Sequence, residues 1–214
     1  MLTFRPGGLE LTDKALEIID IKPGDKVLDI GCGLGTSLSH VRDKYGADVY
    51  GVDVAEESVS KAAETLGTDK VFCADACRLP FPDLSFDLLL MECVLTLINE
   101  PVNALHEAIR VLRPGGSIVI TGLSASHQEK LCQEGRMDAS LLAEYLETNG
   151  MELLLCSDET AQLRRFVAEI IFEYDSMQSY IEAANHELGG SVLSCEVPMK
   201  GTGYTLLVAR KAKA

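Results

Sequence analysis

Apolar positions along the chain follow two alternating rhythms. Short apolar runs such as those at 26–30 and 86–92 are interleaved with stretches whose apolar residues recur every three or four positions. The runs predict strands at 26–30, 48–53, 70–74, 86–92, 117–121, 151–156 and 204–210. The longer rhythm predicts helices at 9–20, 36–45, between Ala55 and Gly67, from Pro101 to Leu112, and at 138–149. Thr12 or Asp13 is expected to cap the first helix, Pro101 suits the first turn of the fourth, and Asn149-Gly150 closes the fifth. Arg113-Pro114-Gly115-Gly116 reads as a hard stop before the fifth strand. Strands alternating with helices imply a doubly wound α/β sheet.

More than 40 residues separate the sixth and seventh strands. Leu163, Phe166, Val167, Ile170, Ile171 and Tyr174 form one helical stripe, and Met177, Tyr180, Ile181, Ala184 and Leu188 a second. A sixth strand parallel to the first five exits at their carboxyl ends, where ligands of open α/β sheets bind. The two helices are therefore placed either to roof a site or to act as a packing or dimerisation pair. The expected organisation is one domain: an arm and helix at 1–24, a core at 25–158, the helical insert at 159–199 and a final strand at 200–214.

Composition narrows the partners. A net charge of −14, from 33 acidic and 19 basic side chains, opposes contact with nucleic acid or anionic lipid. No apolar run reaches about 18 residues, and the first ten lack a basic stretch followed by an apolar core, so a cytoplasmic protein is expected. Seven cysteines without a C-x-x-C pair suit neither a disulfide framework nor a zinc site. The expected partner is a small molecule; monomer and homodimer both stay open.

The candidate chemistry starts at VLDIGCGLGTS, residues 27–37. A strand, a turn carrying Gly31, Gly33 and Gly35, and a helix start lie in one contiguous stretch, an arrangement that lets backbone N–H groups approach a ligand closely. Asp29, two residues before the first glycine, opposes a pyrophosphate and attracts an ammonium or sulfonium. No Lys or Arg lies between Lys26 and Arg42, and the GKS/GKT ending of a phosphate loop is missing. Asp53 ends the next strand 22 residues after Gly31, the place from which a carboxylate reaches ribose hydroxyls; the alternative is a cap for the helix near Ala55. A nicotinamide-dependent oxidoreductase would call for G-x-G-x-x-G, which the loop does not match.

Four segments, VLDIGCGLGTS (27–37), VYGVDVAEES (49–58), FCADACRLPFPDLSFDLLLMECVL (72–95) and EAIRVLRPGGSIVITG (107–122), resemble class I S-adenosylmethionine-dependent methyltransferases of the type 11 family. The resemblance implies a Rossmann-like seven-stranded sheet in the order 3-2-1-4-5-7-6, with strand 7 antiparallel. It implies S-adenosylmethionine as cofactor, S-adenosylhomocysteine as product, and a small-molecule methyl acceptor. It places Gly31, Cys32 and Gly33 at the methionine part, Asp29 at its ammonium, Asp53 at the ribose, Val54 beside the adenine, and Asp75 and Ala76 at the adenine amino group. Glu92 and Cys93 would face the sulfonium and the acceptor, and Arg5 would close over the cofactor.

Glu92, Cys93 and His127 are the candidate catalytic residues, with His186 a further candidate base; His106 should face outward. The cysteines map near one edge of the sheet, which raises a second reading. Cys93, Cys132 and Cys195, with Cys77, would form a thiolate cage for an arsenic or selenium acceptor. The alternatives are buried thiols acting as small apolar residues and an organic acceptor. A protein that binds the cofactor without turnover is the third reading.

Overall fold

The computed structural model describes residues 5–188 and 200–213. The strands are β1 (Lys26–Ile30), β2 (Asp48–Asp53), β3 (Val71–Cys73), β4 (Phe86–Glu92), β5 (Leu112–Ser124), β6 (Cys132–Gln133), β7 (Arg136–Met137), β8 (Met151–Asp158) and β9 (Gly203–Lys211). The helices are α1 (Gly8–Ile19), α2 (Thr36–Tyr45), α3 (Glu56–Leu66), α4 (Pro101–Val111), α5 (Ala139–Thr148), α6 (Thr160–Tyr174) and α7 (Met177–Leu188). β3-β2-β1-β4-β5 run parallel; β9 then pairs antiparallel with β5, and β8 antiparallel with β9. The expected order therefore holds, with β9 and β8 as the seventh and sixth strands. The small β6–β7 hairpin, which the sequence pattern did not predict, touches β5 through Ser124 and Met137.

The period of two along the strands sorts the core into layers. Leu28, Ile30, Ile118, Ile120, Leu207 and Ala209 face α4 and α5. Val27, Leu88, Leu90, Val119, Leu206 and Val208 face α1, α2 and α3. Strands buried on both sides explain why they read as nearly continuous apolar runs. α6 adds Leu163 to the second layer, while Ile170, Tyr180, Ile181 and Ala184 make a separate small cluster between α6 and α7. No helix of the described residues is long and apolar enough to cross a membrane.

Two local expectations change. α1 begins at Gly8 behind a left-handed Gly7, so neither Thr12 nor Asp13 caps it. Thr12 is fully buried inside the helix, and Asp13 instead accepts from His40 Nε2 at 2.7 Å and Tyr45 Oη at 2.8 Å while pairing with Lys44 at 2.8 Å. Burial opposes the charge on Asp13, but these three partners bring its pKa down to about 2 and dock α1 on α2. Arg113–Gly116 do not separate helix from strand either. β5 already starts at Leu112, paired with Phe86, and the four residues bulge out before Ser117 resumes pairing with Leu88. Arg113 Nη1 holds that bulge through both carboxylate oxygens of Asp87 at 2.9 Å.

Asp138 joins α5 to the loop after β5. It accepts from the N–H groups of Ser140, Leu141 and Gln128 at 2.9, 3.2 and 3.1 Å. Asp138→Ala should lower unfolding stability by about 1–2 kcal/mol, the scale of a lost N-cap, read as a shift of the urea midpoint at constant m-value; an unchanged midpoint would show that the cap is dispensable.

Candidate functional site

The carboxyl ends of β1, β2 and β4 meet around the glycine turn. Gly31 and Cys32 both donate to the Val52 carbonyl, at 2.8 and 3.0 Å, so the turn is pinned to β2. The glycines serve different ends. At Gly31 (φ +79°) a Cβ would lie 2.4 Å from Val94 Cγ2, so the missing side chain makes room for the loop after β4. At Gly33 (φ +51°) a Cβ would meet nothing within 4 Å, so this glycine opens onto free space. Only the second fits the close-approach role expected from the sequence.

Carboxylates surround the turn. Asp29 is 4% exposed at the end of β1. Burial raises its pKa well above the usual carboxylate range, and the nearby Glu92 raises it further. Asp53 accepts from Gly33 N–H at 2.8 Å and from Ala55 N–H at 2.9 Å. It therefore ties the glycine turn to β2 and leads into α3, whose N-cap is Ala55. Asp75, just past β3, accepts from Cys77 N–H at 2.8 Å.

Glu92 ends β4 in a buried network. Thr12 donates to its Oε1 at 2.9 Å, Ser37 donates to its Oε2 at 2.7 Å, and Arg5 Nη2 pairs with Oε2 at 2.9 Å. Arg5 Nη2 also reaches Thr12 Oγ1 and Ser37 Oγ at 2.7 and 3.1 Å. Burial works most strongly against the Arg5 charge, but Glu92, Tyr204, Cys93 and Asp29 together leave the guanidinium pKa above its ordinary value. Among the described residues Arg5 Nη1 is buried without a partner.

A cavity of about 620 Å³ opens among these groups, well within the size of small-molecule sites. Arg5, Asp29, Gly31, Cys32, Gly33, Asp53, Val54, Asp75, Ala76, Glu92 and Cys93 all line it, so every expected cofactor residue meets in one place. His127 does not; it stands exposed on the loop after β5 with φ 62°, and the candidate catalytic role is withdrawn for want of contact with the cavity. His186 and His106 are exposed on helices and also lie outside the lining. None of the described residues of α6 and α7 lines the cavity. Sequence reasoning missed Thr12 and Ser37, which stand 80 and 55 residues from Glu92 and carry no local signal. It also missed Leu97 and Ile98, which line the cavity from the loop after β4.

Each thiol near the site has its own partner. Cys93 (φ 59°) lies with Sγ 2.9 Å from Tyr204 Oη, which donates on to Thr121 at 3.1 Å. Cys77 Sγ points to the Glu100 carbonyl at 3.6 Å and Cys132 Sγ to that of Leu95 at 3.9 Å. Burial raises the pKa of Cys93, and that of Cys132 to about 11, so both are protonated at neutral pH. Among the described residues no three His, Cys, Asp or Glu side chains form a metal-binding group, so Cys77, Cys93 and Cys132 make no cage; Cys195 lies outside the described residues.

Residues 28–120 match a family model described as a methyltransferase domain. A phosphoethanolamine N-methyltransferase of Plasmodium falciparum is 36% identical over 58% of this chain and 48% of its own length. The 27-O-demethylrifamycin SV methyltransferase of Amycolatopsis mediterranei is 28% identical over 98% of this chain and 85% of its own length. The crystal structure of the cyclase SpnF superposes with a TM-score of 0.74 at 27% identity, covering 96% of this chain and 82% of that one. The chain spans only 28% to 48% of the length of the phosphoethanolamine methyltransferases it matches.

Because both oxygens of Glu92 are engaged, Glu92→Gln should leave the Arg5 charge buried without its counter-ion. The expected loss is about 3–5 kcal/mol of unfolding stability, the scale for breaking a buried pair, measured by urea denaturation. A fully stable variant would return Glu92 to the pool of free bases.

Proposed function

We propose that this chain, whose residues 28–120 form a methyltransferase domain of the S-adenosylmethionine-dependent type 11 family, transfers a methyl group from S-adenosylmethionine to a small-molecule acceptor. One observation carries the reading. Asp29, a buried acid, and Arg5 Nη1, a buried donor without a partner among the described residues, line the same cavity. Together they complement an ammonium and a carboxylate on one ligand, the amino-acid end of S-adenosylmethionine. Gly33 leaves open space beside them for the chain of that ligand.

The rest of the lining supports the adenosine half. Asp53, with two backbone donors already on it, retains lone pairs for ribose hydroxyls. Val54 is 72% exposed at the cavity, an apolar side chain left open where an adenine would stack, and Asp75 and Ala76 stand at the same end. When bound, the cofactor supplies a methyl group already activated on a sulfonium. The chain's residues then have to bind, orient and exclude water. Glu92 fixes Arg5 and the N-terminus of α2 rather than taking a proton, because Thr12, Ser37 and Arg5 occupy its oxygens. Cys93 remains a thiol held by Tyr204 at the cavity wall, a positioning residue. The free thiols support a cytoplasmic setting.

The pKa of Asp29 makes the assignment testable. Only the ionised carboxylate attracts an ammonium, so affinity for S-adenosylmethionine should rise with pH as Asp29 loses its proton. Calorimetry from acid to neutral pH should show this rise together with proton release, and Asp29→Asn should bind more weakly with a flat profile. A pH-independent wild type would remove Asp29 from the site. Asp53→Ala should weaken binding by about 1–3 kcal/mol, the scale of lost hydrogen bonds to a charged group. A preference for NAD in the same calorimeter would overturn the methyltransferase reading, and formation of S-adenosylhomocysteine with an acceptor panel would establish turnover.

A further inference from the structure

Resting on the methyltransferase reading above, we infer that the methyl acceptor is a largely apolar small molecule without an anionic group, and that phosphorylated or carboxylated acceptors are not substrates. The basis is the charge inventory of the cavity. Among the described residues its lining holds five acids, Asp29, Asp53, Asp75, Glu92 and Glu100, and a single base, Arg5. Arg5 has already given Nη2 to Glu92, Thr12 and Ser37. Its Nη1, buried without a partner among the described residues, would be taken by the one carboxylate of the cofactor. Nothing cationic is left for a second anion.

The segments outside the described residues add no basic side chain to the chain's inventory. Residues 1–4, MLTF, and 189–199, GGSVLSCEVPM, contain no Lys, Arg or His. Specific recognition of a phosphate draws on Arg or Lys side chains or on the amides of a helix N-terminus. The N-terminus of α2 lies at the glycine-turn end, where Thr36 and Ser37 line the cavity beside Arg5, the part taken by the amino-acid end of the cofactor; those of α3 and α4 also reach the lining, through Ala55, Ser58 and Glu100, but carry the acids Glu56, Glu57 and Glu100 there. An anionic acceptor would thus enter a partly buried space among carboxylates with no counter-ion, which is costly in a medium of low dielectric.

The wall left for the acceptor is apolar. Leu9 of α1 and Cys93, Val94 and Leu97 of the loop after β4 form it. Leu97 is 52% exposed, one of the few large apolar side chains open to solvent, and it stands on this cavity. An apolar acceptor covering Leu97 and Leu9 would bury surface that is otherwise left in water.

The test uses the full chain. Calorimetry with S-adenosylhomocysteine comes first and judges the methyltransferase reading alone: no binding there overturns that reading, and with it the premise of this one. The loaded protein is then titrated with N-phenyl-1-naphthylamine, a neutral apolar fluorophore, and separately with phosphoethanolamine. The expected result is saturable fluorescence enhancement by the loaded protein, weakened about tenfold or more (about 1.4 kcal/mol) in Leu97→Asp, and no heat or displacement from phosphoethanolamine. Binding of phosphoethanolamine to the loaded protein, its methylation, or failure of the neutral probe to bind would each overturn the inference while leaving cofactor binding intact.

Discussion

The buried pair between Arg5 and Glu92 is the constraint on which the arrangement of the site depends. A charged pair this far from water is tolerated only when its remaining hydrogen-bonding capacity is met. Thr12 and Ser37 meet much of it, and they come from α1 and α2. The N-terminal arm, two helices and the tip of β4 are therefore joined by one polar cluster at one end of the cavity. The Asp13 cluster repeats the α1–α2 connection on the outer side of the same helices.

The same cluster sets the electrostatics. Among the described residues it supplies the cavity's one cation and leaves that cation's Nη1 without a partner. It also places the negative charge of Glu92 beside Asp29, which, added to burial, holds the Asp29 carboxyl in its protonated form over a wider pH range. A cationic ligand would relieve this repulsion, whereas an anionic one would add to it. The methyltransferase reading and the exclusion of anionic acceptors both follow from that sign. The same domain serves proteins of different names, and a fold alone does not specify a reaction; here the charges lining the cavity narrow the choice.

Much of the fold was legible because its signals are local. β1, α2, β2 and β4 begin and end where the apolar rhythm and the turn residues placed them. Asp29, Asp53 and Asp75 were legible as site residues because each occupies a strand tip or the turn beyond it, and a parallel sheet brings such tips together. Two expectations drawn from the pattern have a physical account in the contacts. Arg113–Gly116 looked like a stop because Pro and Gly break regular pairing, yet a strand accommodates them as a bulge when neighbouring residues resume the register. The cysteines shared an edge in sequence order, but sharing an edge does not make thiols converge, and Cys77, Cys93 and Cys132 each found a different partner.

The sequence by itself determined the order of strands and helices, the glycine turn with its preceding acid, and the overall negative charge. Each of these depends on neighbours in the chain or on a simple sum. Tertiary structure alone decided that Thr12, Ser37 and Arg5 reach the oxygens of Glu92, that Gly31 yields to Val94 while Gly33 opens onto free space, and that His127 stands away from the cavity. Those outcomes turn on contacts between residues tens of positions apart, which local pattern does not encode. The buried charges had to find partners, and only the folded chain specified which ones were within reach.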